Sequence, residues 1–131
     1  MEQQRNREAP LVPTNEKLCI AAQNGDEEAA NLLLERNVKF VKLVVRAVLN
    51  LFGIKPRDIG ISYDDLVSEG QLGMWKCIAK YDPTQPANFL TYAKPSVRHS
   101  VTDLVRERLR ETESQRTRIT FEEVENRYAE G

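Results

Sequence analysis

Apolar residues recur along this chain at helical spacing. Leu34, Val38, Val41, Val45, Val48 and Phe52 step by 4, 3, 4, 3 and 4, which traces one face of a 3.6-residue period. Phe40, Val44 and Leu51 widen that face to almost half the circumference. A helix this apolar belongs in the middle of a bundle, and it is expected to be the longest, with Asn37 marking a kink. Gly53 followed by Pro56 ends it. Upstream, Thr14 is placed to cap a helix of about ten residues carrying Leu18, Ala21 and Ala22. Gly25 suits a left-handed stop, and Asp26-Glu27-Glu28 suits the positive end of the next helix.

Downstream, Lys55 to Ile61 is a loop and Ser62 caps another helix, with Asp64 and Asp65 in its first turn. Leu66, Gly70, Met74 and Ile78 form its stripe, flanked by Val67 and Trp75. Two interior glycines, Gly70 and Gly73, cost about 1 kcal/mol each relative to Ala, so they predict a second helix in close approach. Asp82-Pro83 stops this helix and Thr84-Gln85-Pro86 turns the chain. From near Asn88 a last stripe runs through Phe89, Ala93, Val97, Val101 and Leu104/Val105. Pro95 falls inside it and should kink or restart the helix. After Leu109 the periodicity dissolves. Strand signals are poor and no internal repeat is visible. The fold class predicted is all-α, a compact bundle of about four helices with a long central one. Residues 1–13 read as a flexible tail, 14–112 as the domain, and 113–131 as a linker with a weak acidic turn at Glu122-Glu123.

The chain has 131 residues, 40% hydrophobic and 30% charged, which bounds it to one soluble globular domain. Nineteen basic against twenty acidic residues exclude a bulk-electrostatic nucleic-acid binder but leave room for a local basic patch. Such a patch is present. From Pro86 to Arg118 there are seven basic residues (Lys94, Arg98, Arg106, Arg108, Arg110, Arg116, Arg118) against four acidic ones. From Ile119 to Gly131 four glutamates face one arginine. Positive charge beside Phe89 and Tyr92 is the combination that single-stranded nucleic acid needs, backbone neutralisation plus a stacking face. An ordinary solvated amphipathic helix reads the same way on composition alone.

Two distant cysteines, Cys19 and Cys77, make neither a disulfide framework nor a metal spacing. No apolar run approaches the length of a membrane span, and Met1 to Thr14 lacks the apolar stretch of a signal peptide. A cytoplasmic location is expected. No nucleotide-binding glycine motif or nucleophile elbow occurs, and His99 is the sole histidine. Asp64, Asp65 and Glu69 read as an acidic helix start rather than a metal cluster. No enzyme and no cofactor is expected.

The segment Asp65-Leu66-Val67-Ser68-Glu69-Gly70-Gln71-Leu72-Gly73-Met74-Trp75, followed by Tyr81-Asp82-Pro83 and Phe89-Leu90-Thr91-Tyr92-Ala93, resembles region 2 of bacterial sigma factors of the main, seventy-kilodalton type. Gly25-Asp26-Glu27-Glu28-Ala29 and Glu35-Arg36-Asn37 fall where that family has its lead-in and preceding helix. The resemblance covers about residues 14–112. It implies an all-α transcription initiation domain with two faces. One, here Asp65, Ser68, Glu69, Gln71 and Trp75, would bind the clamp helices of the largest subunit of core RNA polymerase. An acidic, amide-bearing face with one large aromatic suits an arginine-rich partner; for Trp75 a core position is the equal alternative. The other face would capture the non-template single strand of the promoter minus-ten element. Tyr92 takes the slot of the aromatic that receives a flipped adenine, and Thr91, Lys94, Arg98, His99, Thr102 and Arg106 would line the same helix.

Two departures stand out. Housekeeping members carry two tryptophans just after Tyr-Ala, where this chain has Pro95 and Ser96. That proline resembles sporulation and general-stress sigma factors of Gram-positive bacteria, or related phage and mobile-element proteins. Asp103 stands where housekeeping members have an arginine. No helix-turn-helix follows, so the expectation is a fragment or a stand-alone region 2 protein, the abrupt end after Arg127 favouring the fragment. The competing function is an interaction module that holds the polymerase clamp or an anti-sigma factor without melting DNA.

Overall fold

The computed structural model describes the backbone of residues 13–130, with side chains except those of 119–121 and 127–130. The expected tail, apart from Pro13, lies outside the described residues. Among the described residues five α-helices and one 3₁₀ turn follow in order: α1 (Asn15–Gln23), α2 (Glu27–Arg36), α3 (Val38–Phe52), the 3₁₀ turn (Pro56–Ile59), α4 (Tyr63–Ile78) and α5 (Phe89–Glu130). The all-α bundle is as expected.

The helix starts follow their capping residues. Thr14 accepts from the Lys17 amide at 3.2 Å, Asp26 from Ala29 at 3.0 Å, Ser62 from Asp65 at 3.0 Å and Asn88 from Thr91 at 2.8 Å. Each satisfies one of the amides that a helix start leaves without a partner. Gly25, Gly53 and Gly60 all have positive φ where the chain stops or turns.

The long apolar run is two helices rather than one kinked helix. Asn37 is the break. Its side-chain amide donates to the Leu33 carbonyl at 2.8 Å and to Asn15 Oδ1 at 2.9 Å. A short amide side chain that bonds back to the preceding turn competes with the helical ladder. Among the described residues Asn37 is the one buried polar side chain, and the exchange with Asn15 locks α1 onto this joint.

The core is built from α3, α4 and the first half of α5. Val41, Val45, Leu66, Met74, Phe89, Ala93, Val97, Val101 and Val105 are fully buried. The glycines set the spacing as expected. A Cβ on Gly70 would lie 2.6 Å from Val41 Cγ1, and one on Gly73 would lie 2.9 Å from the Ser96 carbonyl oxygen. Ser96 Oγ donates to the Gly73 carbonyl at 3.0 Å. Thus α4 is pressed against α3 at one glycine and against α5 at the next.

The restart that Pro95 could have caused does not occur, because α5 is unbroken from Phe89 to Glu130. The carbonyl that loses its partner belongs to Thr91, an exposed residue, so water can take the bond that the proline cannot make. The segment expected to be a linker continues α5 as helix through residue 130, and α5, not the apolar run, is the longest described helix. No glycine or proline occurs between Ser96 and Glu130, so nothing in the sequence stops propagation. Arg108 anchors the point where α5 leaves the body. Its Nε donates to the Ile59 carbonyl at 3.0 Å, and it pairs with Glu111 one turn on.

Candidate functional site

Helix α4 divides cleanly into an inner and an outer face. Leu66, Val67, Gly70, Gly73, Met74, Cys77 and Ile78 are buried. Asp65 and Ser68 are exposed, and Glu69 and Gln71 are half-buried. Trp75 is 54% exposed, which decides between its two readings: it is a surface aromatic. Asp65, Ser68, Glu69 and Trp75 recur at helical spacing along one side, with Gln71 at the edge. Leu72 belongs to the same side, is exposed, and was not among the expected residues. Its position seven after Asp65 and three before Trp75 is the signal that places it there.

Beside Trp75 a groove of about 590 Å³ separates the end of α4 from the α1–α2 turn, with Gln23, Asp26 and Glu27 on one wall and Lys76 and Lys80 on the other. The outer face of α4 is therefore a mixed surface with an acidic start, an aromatic and a leucine in the middle, and a groove at its end.

A second groove, of about 540 Å³, lies between the end of α3 and α5. It brings together five of the seven expected nucleic-acid residues, Lys94, Arg98, His99, Thr102 and Arg106, with Pro95 and Asp103. The cations come from one side of a single helix, Lys94 and Arg98 on adjacent turns and Arg106 two turns further on. Leu51 and Phe52 form the opposite wall. Sequence reasoning took both as core-facing, yet Leu51 is 72% exposed. It sits at the flank of the α3 stripe, next to Asn50, where the apolar face is already filled. The Arg106 guanidinium lies 5.9 Å from the centre of the Phe52 ring, within reach of a cation–π attraction that holds the arginine over the groove.

Thr91 and Tyr92 are exposed and lie outside this groove. Tyr92, 38% exposed, belongs to an aromatic cluster at the start of α5. Its ring is tilted against Tyr81 at 5.6 Å, and Tyr81 meets Phe89 edge-on at 5.5 Å. The Tyr81 hydroxyl donates to the Ala87 carbonyl at 3.0 Å. Burial first, then the nearby Glu16 carboxylate, raises the Tyr81 phenol above its ordinary range, so it remains a donor. The same two causes push the buried Cys19 thiol up to about 11, which keeps it protonated and unreactive.

Ser96 faces inward onto α4 and Pro95 lines the cationic groove, so neither supplies an aromatic face beside Tyr92. Among the described residues no group of three His, Cys, Asp or Glu side chains could hold a metal ion. No described helix is long and apolar enough to cross a membrane.

The family model described as Sigma-70 region 2 matches residues 33–111. The RNA polymerase sigma-F factor of Bacillus subtilis is 35% identical over 91 residues, which is 70% of this chain and 32% of that protein. The RNA polymerase sigma factor RpoS of Coxiella burnetii is 31% identical over 94 residues, 70% of this chain and 24% of that protein. The sigma factor SigA of a Bacillus species is 28% identical over 103 residues, 77% of this chain and 25% of that protein. The chain thus spans a third or less of the length of these relatives. No solved structure matches it.

Proposed function

Because the chain belongs to the sigma-70 region 2 family, we propose that residues 14–112 bind core RNA polymerase through the outer face of α4 and receive the non-template strand of a promoter minus-ten element on α5. The observation that carries this reading is the gathering of Lys94, Arg98, His99, Thr102 and Arg106 into one groove, near an exposed tyrosine backed by two further aromatic rings. Cations along one side of a helix neutralise a backbone, and the aromatic offers a face to an unstacked base.

Melting then follows from differential binding. A surface that holds an unpaired base better than a stacked one shifts the equilibrium towards open DNA by the difference in affinity. On the polymerase side, Asp65 and Glu69 would meet basic groups of the clamp helices, while Leu72 and Trp75 supply the apolar centre that such interfaces depend on. The Pro95-Ser96 pair supports a place among sporulation or general-stress members rather than housekeeping ones.

The test is binding of a non-template minus-ten oligonucleotide to the chain in the presence of core polymerase. Tyr92→Ala abolishes discrimination for the minus-ten adenine. Replacing Lys94 and Arg98 together weakens binding to all sequences and flattens its salt dependence. If the Tyr92 variant discriminates as the wild type does, the nucleic-acid half of the proposal falls.

A second reading is favoured by one observation: Ser96 is turned into the α4 contact, and no aromatic pair follows Tyr92. On that reading the domain grips the polymerase clamp or an anti-sigma factor without melting DNA. Polymerase binding without any preference for the melted strand would select it.

A further inference from the structure

Helix α1 carries none of the residues assigned above, yet it touches both ends of the connection between α4 and α5. The Gln23 side-chain amide donates to the Ile78 and Tyr81 carbonyls, each at 2.8 Å. Cys19 Sγ donates to the Ile78 carbonyl at 3.3 Å. Seven residues before Gln23, the Glu16 carboxylate accepts the Phe89 amide at 2.8 Å. Two of these partners are groups that helix geometry leaves without partners, the last carbonyl of α4 and the first amide of α5, and the third, the Tyr81 carbonyl, lies in the connection just beyond α4. One short helix therefore satisfies a helix end and a helix start that ten intervening residues separate.

The aromatic cluster hangs on the same atoms. Tyr92 rests on the ring of Tyr81, whose carbonyl Gln23 holds. Tyr81 in turn stands edge-on to Phe89, whose amide Glu16 holds. We infer that Glu16 and Gln23 are positioning residues for Tyr92, fixing the angle at which its ring meets an unstacked base. This rests on the nucleic-acid reading proposed above.

The two acceptor and donor roles have opposite chemical requirements, which makes the inference sharp. At position 16 an acceptor is needed, so Glu16→Gln keeps the bond and Glu16→Ala loses it. At position 23 a donor is needed, so Gln23→Glu sets a carboxylate against two carbonyl oxygens.

The experiment uses the full chain with core polymerase and a non-template minus-ten oligonucleotide, with and without its adenine. Glu16→Ala and Gln23→Glu lower the ratio of the two affinities about tenfold, the change that goes with loss of about one hydrogen bond's worth of free energy. In Glu16→Ala polymerase affinity stays within about twofold of the wild type, and Glu16→Gln restores the ratio. The ring-current shifts of Tyr92 against Tyr81, read by NMR on the free chain, are lost in the same two variants. Variants that unfold earlier but keep both the ratio and the ring-current shifts overturn the inference, since α1 would then be structural only. A wild type with no adenine preference sinks the nucleic-acid reading instead, and the ring-current shifts still decide whether Glu16 and Gln23 set Tyr92.

Discussion

The two halves of α5 are one continuous helix made in two different ways. From Phe89 to Val105 it buries Phe89, Ala93, Val97, Val101 and Val105 completely. From Glu113 to Arg118 every residue is exposed, as are Glu122 to Asn126. The first half is helical because a stripe packs on α4, strongly enough to carry a proline. Among its described side chains the second half buries none against the bundle, and it rests on side-chain propensity, the absence of helix breakers and the Arg108–Glu111 pair. The proposed nucleic-acid residues lie in the packed half, except Arg106, which follows it directly. Side chains can be aimed only from a backbone that the core holds still.

The difference can be broken most severely at its inner end. Phe89→Ala removes a fully buried ring and costs about 3–5 kcal/mol, read as a fall in the denaturant midpoint of the whole domain. Gly70→Ala comes next. Its Cβ would collide with Val41, and overpacking of about 1–3 kcal/mol exceeds the about 1 kcal/mol that alanine returns in helix propensity. Thermal unfolding should show a net loss, and a rise in Tm would mean that the α3–α4 spacing yields easily.

A smaller effect lies in the turn that launches the packed half. Thr84 donates its hydroxyl to the Asp82 carboxylate at 2.7 Å and its amide at 2.9 Å, and these bonds hold the carboxyl below its ordinary value of 3.8. A depressed acid stabilises the fold above its unfolded pKa and loses that contribution as pH falls through the folded one. The Tm gap between wild type and Asp82→Asn should therefore be constant at neutral pH and close below about pH 4. At the far end, Val124→Ala should change stability by less than about 0.5 kcal/mol. A larger loss, seen in the same unfolding curves, would mean that the outer half has a packing partner after all.

The same contrast explains what the sequence could show. The stripes from Leu66 to Ile78 and from Phe89 to Val105 lie where their spacing put them, with Thr14 and Ser62 at their caps, whereas the fully buried residue of α2 is Leu33 rather than the expected Leu34. The outer half of α5 was not readable, because periodicity reports burial and this segment is exposed. Asn37 was ambiguous for a different reason. A kink and a break share one residue type, and what decides is its bond to Asn15, far away in the chain. At the surfaces, Trp75 and Leu51 show the limit. An apolar residue at the flank of a stripe turns in or out according to how full the core already is. The groove made by Leu51, Phe52 and α5 joins two segments that no local pattern links.

One helix, α4, is proposed to present a partner-binding face outward while seating α5 behind it. The most direct measurement is a titration of the chain with a tryptophan-free fragment of the polymerase clamp helices, followed through Trp75, the only tryptophan. The account predicts a saturable fluorescence change that Glu69→Lys weakens at unchanged helicity. A flat titration with the domain folded would contradict it.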